Sequence, residues 1–276
     1  MKQSVFQQFS ALVQQNFGIQ LPQEKKALLE SRLFKLMNEN NTRPELASEE
    51  AFLEYIKGDA SGCGLAMLAE AITTHHTFFM READHFDFYA REVLPFLAET
   101  IKDGDVRTWC AASSTGEEAY TLAMLLSDYF SPLGPKWETT LLATDLSRDV
   151  LEKGKSGVFT LASVKTLPLA WQSNYFIPCG DGNYQVIESL RRKVLFRQFN
   201  LMNPVFPFKK PFHVIFCRNV MIYFDAPTRE LLVQKFFDFL EPGGFLFIGH
   251  SEVIEKRGNN FDYVMPSIYR KKGAFT

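Results

Sequence analysis

The residues with the clearest chemical content lie in one turn. Cys110-Ala111-Ala112-Ser113-Ser114-Thr115-Gly116-Glu117-Glu118 follows a short apolar run and opens an amphipathic stretch. In open parallel sheets, ligands bind at such strand-turn-helix junctions, beyond the carboxyl ends of the strands. The turn holds neither G-x-G-x-x-G nor G-K-[ST]. A dinucleotide or nucleoside triphosphate rests its phosphates on a bare helix N-terminus, and Glu117 and Glu118 would repel them there. The small residues permit close backbone approach, and the acids suit a ligand carrying an amino group and a sulfonium; the same acids would equally complement the helix dipole. About thirty residues later a second apolar run ends in Asp145. An acid there either accepts hydrogen bonds from both hydroxyls of a ribose or caps the helix that follows. An adenosine without phosphates but with an amino acid attached is S-adenosylmethionine. Cys63, Cys110, Cys179 and Cys217 are widely spaced, with no C-x-x-C pair and no histidine at ligand spacing. Buried free thiols are expected, with neither a disulfide framework nor a metal site.

These residues need a scaffold, and 276 residues, well past the ~150 of a typical domain, suggest two domains or one with an ancillary piece. With 46% hydrophobic residues and 27 phenylalanines the chain builds a core. Thirty Lys and Arg against 32 Asp and Glu give a net charge of -2, without the broad basic field of a nucleic-acid or anionic-lipid binder. The first ten residues are polar and no stretch approaches ~18 uncharged apolar residues, so a cytoplasmic chain without membrane insertion is expected.

From residue 1 to 73, apolar residues recur at helical spacing: Phe6, Phe9 and Val13, then Leu29, Leu33 and Leu36, then Phe52, Leu53 and Ile56, then Leu65, Leu68 and Ile72. Pro22 suits the first turn of the second helix, and 38–44 and 57–64 are turn-rich. Lys25, Lys26, Arg32 and Lys35 make that helix basic, largely offset by Glu24, Glu30 and Glu39. It is either a solvated face or a docking surface for an acidic partner. After a further helical stretch through Phe86, Tyr89, Val93 and Leu97, short apolar runs alternate with amphipathic helices. Strands are expected at 105–111, 139–145, 193–199, 212–217 and 243–249, and helices at 117–129, 148–153 and 228–240. That alternation predicts an α/β domain over 74–276 with a mostly parallel sheet covered on both faces. Residues 156–192 break the rhythm with Pro168, Pro178, Gly180 and Gly182 around a hairpin strand at 184–187, which suggests an inserted β subdomain.

Three segments, A-A-S-S-T-G-E-E-A-Y at 111–120, F-C-R-N-V-M-I-Y-F at 216–224 and G-H-S-E at 249–252, together resemble the bacterial chemotaxis receptor methyltransferase family (CheR type). T-F-F-M-R at 77–81 is similar to the family's T-x-F-F-R signature, with the aromatic pair one place early and Met80 at a Phe position. The resemblance covers nearly the whole chain. It implies a doubly wound, seven-stranded class I methyltransferase sheet with an antiparallel final strand, here over 261–270. It also implies that Arg81 pairs with the carboxylate of S-adenosylmethionine, that Glu117 holds its amino group and Asp145 its ribose, and that Asn200-Leu201 sits beside the adenine. Arg218-Asn219 would lie at the cofactor and substrate end, with Tyr223 near the transferring methyl and Thr77 in the cofactor segment. His75 stands where the family usually has Asn; a larger, titratable side chain there could weaken cofactor binding or make it pH-dependent. Phe78 and Phe79 are expected to be tied to the site through Arg81.

The implied reaction moves a sulfonium methyl to a glutamate on the cytoplasmic helices of a methyl-accepting receptor, leaving a methyl ester and S-adenosylhomocysteine. A glutamate with a pKa near ~4.3 is already ionised, so no general base is needed, which suits the lack of a nucleophile-base dyad. Arg218 and Tyr223 are the candidates for orienting the reacting groups. His213 and His250 are expected to support structure, with His250 a second candidate near the site. Rival readings are a methyltransferase of the same fold with another acceptor and a non-catalytic S-adenosylmethionine sensor. A monomer is expected, and the insert could take a receptor tail by strand addition.

Overall fold

The computed structural model describes residues 1–40, 42–255 and 261–273; residue 41, in the turn-rich stretch 38–44, lies outside them. Four helices form the N-terminal module: α1 (Gln3–Phe17), α2 (Lys26–Glu39), α3 (Glu49–Gly58) and α4 (Cys63–Ile72). Their apolar faces meet in one core of Phe6, Phe9, Val13, Leu29, Leu33, Phe52, Leu53, Ile56 and Leu68. Pro22 precedes a 3-10 turn, Gln23–Lys25, that leads into α2, and Ser48 caps α3 by accepting the Ala51 N–H at 3.1 Å.

A helical run follows, α5 (Ala83–Phe88) and α6 (Leu94–Thr100), joined by a π-helical turn at Tyr89–Val93. Strand and helix then alternate: β1 (Thr108–Cys110), α7 (Glu117–Phe130), β2 (Leu141–Asp145) and α8 (Arg148–Ser156). Within the insert come β3 (Val158–Thr160), α9 (Leu161–Val164), α10 (Leu169–Tyr175), β4 (Phe176–Gly180), β5 (Asn183–Val186) and α11 (Glu188–Arg191). The chain returns through β6 (Val194–Gln198), β7 (Phe212–Cys217), α12 (Ala226–Asp238), β8 (Leu240–Ile248), β9 (Phe261–Met265) and β10 (Ile268–Lys271).

The main sheet runs β6-β2-β1-β7-β8-β10-β9. Its first five strands are parallel, and β10 is antiparallel to both β8 and β9. Every residue of β7 is buried, as a central parallel strand covered on both faces requires. The stretch 261–270 is therefore two strands rather than one. Ser267, with φ of 63° in the left-handed region, makes the turn between them. The remaining expected strands and helices are present with ends shifted by a few residues, the largest shift being β1, which keeps only three residues of 105–111.

The insert is a three-stranded antiparallel sheet ordered β3-β5-β4. Asp128 of α7 anchors it, accepting the Trp171 indole N–H at 2.7 Å and the Tyr175 hydroxyl. Phe79 packs on Phe159 and Phe176 with ring centroids 4.8 and 5.8 Å away, so it ties the linker to the insert. Phe78 is exposed, with the Arg81 guanidinium 6.0 Å from its ring centroid.

Several polar ties join the module to the α/β domain. Glu70, on α4, accepts the Arg148 N–H at 2.5 Å and the Ser147 hydroxyl, placing an anion at the N-terminus of α8. Asn200 Nδ2 donates to the Asn16 carbonyl at 2.8 Å, and the Gln20 N–H donates to the Tyr223 carbonyl at 2.8 Å. Arg32 of the basic helix fastens the crossing between the two units: it donates to the carbonyls of Ile72 and Thr73 and to the Thr74 hydroxyl.

Candidate functional site

The seam between module and sheet encloses a cavity at the carboxyl ends of β1, β2, β6 and β7. Phe17, Ile19, Leu21, Lys25 and Leu28 line it from the module; His75, Thr77 and Arg81 from the connecting segment; and Ala111, Ala112, Ser114, Glu118, Asp145, Asn200, Leu201, Arg218, Asn219 and Tyr223 from the sheet side. Nine of the ten residues singled out from the sequence thus face one space. Glu117 is the exception.

The β1-α7 turn is held by unusual backbone. Ser114 has φ of 47° and Gly116 φ of 101°; a Cβ on Gly116 would also come within 3.2 Å of Gly154 Cα. Asp145 fixes the turn from the neighbouring strand, its Oδ2 accepting the Ser114 N–H at 2.9 Å while Oδ1 accepts the Ser147 N–H at 3.1 Å. Each oxygen keeps a lone pair for a ligand hydroxyl. Burial raises the Asp145 pKa, opposed by its backbone hydrogen bonds. His75 places its carbonyl 3.2 Å from the Ser114 hydroxyl and its Nε2 2.8 Å from the Thr73 hydroxyl. Burial lowers its pKa while Asp145 pulls the other way, so the ring is neutral at pH 7 and serves as a hydrogen-bonding group.

At the start of α7 the two acids part. Glu117 is buried, accepts the Thr115 hydroxyl at 2.6 Å and has its pKa raised by burial. Glu118 forms the cavity wall, with Oε2 2.7 Å from Arg218 Nη1. At N1 and N2 of a helix, residue type alone does not say which of two adjacent acids turns outward.

Arg218 is held from several sides. Nη1 pairs with Glu118, Nη2 lies 2.8 Å from Glu82 Oε2 and donates to the Arg81 carbonyl, and the guanidinium lies over the Phe86 ring. Asn219, at φ of 59°, follows; its Nδ2 donates to Glu82 Oε1 at 3.0 Å and its N–H to Glu252 Oε2 at 3.0 Å. Glu252 also accepts the N–H groups of Gly249 and Ile222, at 2.5 and 3.2 Å. A Cβ at Gly249 would lie 2.8 Å from the Asn219 nitrogen, so the R-N and G-H-S-E segments form one structural unit. Two carboxylates, from Glu82 and Glu118, hold the Arg218 guanidinium by its Nη atoms, and its buried Nε has no hydrogen-bond partner among the described residues.

Arg81 and Tyr223 are among the polar groups in the wall that remain available. Arg81 donates to the His76 carbonyl at 2.8 Å and has no ion pair among the described residues. Tyr223, in a 3-10 turn over Met221–Tyr223, has no hydrogen bond from its hydroxyl there, and Lys25 Nζ sits 5.2 Å from its ring centroid. The module's share of the wall went unseen in the sequence. Lys25 was legible only as part of a basic helix, and Phe17, Ile19 and Leu28, as apolar residues, carry no chemical signal that would single them out.

The donor set fits S-adenosylmethionine. An unpaired guanidinium can meet its carboxylate, Glu118 its ammonium and Asp145 its ribose diol, while apolar Leu201 and Phe17 flank the space for a base. A polyphosphate would meet Glu118 and Asp145, two carboxylates where it needs donors.

Two family models match the chain: CheR methyltransferase, all-alpha domain, over residues 4–73, and CheR methyltransferase, SAM binding domain, over residues 75–269. Among curated proteins it is 39% identical over 264 residues to a chemotaxis protein methyltransferase of Borreliella burgdorferi, covering 94% of this chain and 91% of that one. It is 33% identical over 270 residues to the chemotaxis protein methyltransferase of Salmonella typhimurium, covering 96% and 88%. To that of Escherichia coli it is 32% identical over 253 residues, covering 90% and 83%.

Proposed function

The chain belongs to the CheR methyltransferase family, and from that premise we propose that it esterifies glutamate side chains on the cytoplasmic helices of chemotaxis receptors, working in the seam between its two units. The observation that carries this reading is the convergence of Arg81, Glu118, Asp145 and Tyr223, from four separate segments, on one cavity. Bound S-adenosylmethionine supplies an electrophilic methyl on a sulfonium.

Arg81, Glu118 and Asp145 grip the two ends of the cofactor, with Asn200 and Leu201 beside the base and Thr77 and His75 along the connecting wall. Arg218, Glu82 and Asn219 keep Glu118 and the turn at 218–223 in register. A receptor glutamate arrives ionised. Its carboxylate oxygen forms the new bond to the methyl carbon as the carbon–sulfur bond breaks, with the electron pair passing to sulfur and no proton changing hands. What the protein adds is alignment and removal of water from the carboxylate. The Tyr223 hydroxyl is the free donor placed to orient it, and Lys25, over the Tyr223 ring, adds a cation at that end to draw an acidic helix in.

The test uses S-adenosylmethionine labelled in its methyl group and a receptor cytoplasmic fragment. Esters release the label as methanol in mild base, so base-labile protein label is expected. Base-stable label would mean another acceptor, and binding without turnover a sensor; either would overturn the reading.

A further inference from the structure

Outside the residues that line the cavity, three side chains converge that the proposed reaction does not use as ligands to cofactor or substrate. Glu82, His85 and His250 present their donor atoms within 4.8 Å of one another. Glu82 and His85 are one helical turn apart at the start of α5, and His250 comes from the loop after β8, where it lies beside them because Glu252 and Gly249 pin that loop to Asn219.

His85 is fully buried, and neither ring nitrogen has a hydrogen-bond partner. Its Nδ1 is 3.6 Å from Glu82 Oε2, too long for a hydrogen bond. That distance is close to the ~3.4 Å that separates two ligand atoms placed tetrahedrally at ~2.0–2.1 Å from one zinc ion. The His250 ring stands nearly perpendicular to that of His85, centroids 4.7 Å apart. Asp84 Oδ2 lies 3.1 Å from His250 Nε2, the outer carboxylate that commonly orients a metal-binding histidine and leaves its other nitrogen to the ion. His250 and Asp84 are exposed, so an ion reaches the cluster from solvent while His85 forms its buried floor. The nearest cation, Arg218, is already met by Glu82 and Glu118, and Asp84 leaves the surroundings net negative.

We propose that Glu82, His85 and His250 form a binding site for a divalent transition-metal ion of the zinc class, with Asp84 as the outer partner of His250. Two imidazoles and one carboxylate select zinc, cobalt or nickel over calcium or magnesium, which prefer all-oxygen shells. Three protein ligands leave one position to water. Glu82 also holds Arg218 and Asn219, so an ion drawing on its carboxylate loosens the wall of the cofactor cavity. Occupation of the two sites is thereby coupled, with zinc weakening S-adenosylhomocysteine binding and the reverse by the same factor.

The experiment titrates zinc alone into the full chain against a chromophoric chelator, in a Cys63→Ser/Cys179→Ser background that removes the two exposed thiols. Cobalt is the spectroscopic probe. One ion per chain is expected, with visible cobalt bands of low-coordinate geometry and no thiolate charge-transfer band. His250→Ala, at an exposed position, is expected to weaken zinc binding by more than about 100-fold, and Asp84→Ala by about 10-fold. Zinc affinity within about twofold of wild type in His250→Ala, or no competition with the chelator at micromolar zinc, overturns the site. Unchanged S-adenosylhomocysteine affinity at saturating zinc overturns the coupling. Both readouts are binding measurements and stand whether or not receptor glutamate proves to be the acceptor.

Discussion

Glu118 Oε2 lies 2.7 Å from Arg218 Nη1, joining the segments that follow the adjacent parallel strands β1 and β7. The pair holds Glu118, rather than Glu117, in the cavity wall, and the proposed role of meeting a ligand ammonium goes to it on that ground. Glu118→Gln should weaken S-adenosylhomocysteine binding by ~10- to 100-fold, the worth of one charge-assisted hydrogen bond. Glu117→Gln should change it by less than about threefold. Calorimetric titration of both variants decides, and the reverse order would return the role to Glu117.

Asp145 is the second proposed anchor. Asp145→Ala removes the acceptor for the ligand diol and for the Ser114 and Ser147 N–H groups together, so S-adenosylhomocysteine affinity should fall by at least about 100-fold. Asp145→Asn, which keeps one acceptor oxygen, should lose less. Equal affinity in wild type and Asp145→Ala, measured by calorimetry, would contradict the ribose assignment.

Gly249→Ala tests whether the R-N and G-H-S-E segments are one unit. The added methyl would press on the Asn219 nitrogen at 2.8 Å, at a cost of about 1–3 kcal/mol in urea unfolding. Cofactor affinity should fall with it, because Asn219 lines the cavity. A variant as stable as wild type would show that the two loops separate easily.

His213 gives the acid limb of stability. It is buried at the start of β7, where its Nδ1 accepts the Arg107 N–H at 3.0 Å, and burial lowers its pKa to about 4. The unfolded chain therefore binds a proton below about pH 6.5 that the folded chain refuses until about pH 4. Its contribution to stability is whole above that window and falls by roughly 1.4 kcal/mol per pH unit as pH drops through it. His213→Gln should flatten the urea midpoint between pH 6.5 and 4.5 relative to wild type.

How much of this was legible in the sequence follows from which interactions are local. Helical periodicity found the four module helices, and apolar runs found the parallel strands, because burial on both faces leaves a pattern in any strand such as β7. The hairpin at 261–270 was not separable, since its turn rests on one residue, Ser267, with positive φ. The sequence singled out Asp145 by its place at a strand end and Arg81 by its motif, and both line the cavity. The partners of Arg218 were not: Glu82 and Glu118 lie 136 and 100 residues away, and the guanidinium's role depends on them. Arg32 on α2 and Lys25 in the 3-10 turn that leads into it carry the same charge, yet one ties down carbonyls at the α4 terminus and the other faces Tyr223, a division that only the packing of the module decides.

The cavity's divided wall gives the ligand a second thermodynamic identity. A molecule gripped on one side by Leu28 and Phe17 and on the other by Asp145 and Glu118 is also an adhesive between the units that grip it. By mass action, a ligand at a hundred times its dissociation constant favours the docked arrangement over any parted one that cannot bind it by about 2.7 kcal/mol. If methyl donor and spent product are held in that cavity as proposed, the concentration of either one would set how firmly the helical module is clamped to the sheet, and the clamp would ease each time one is exchanged for the other.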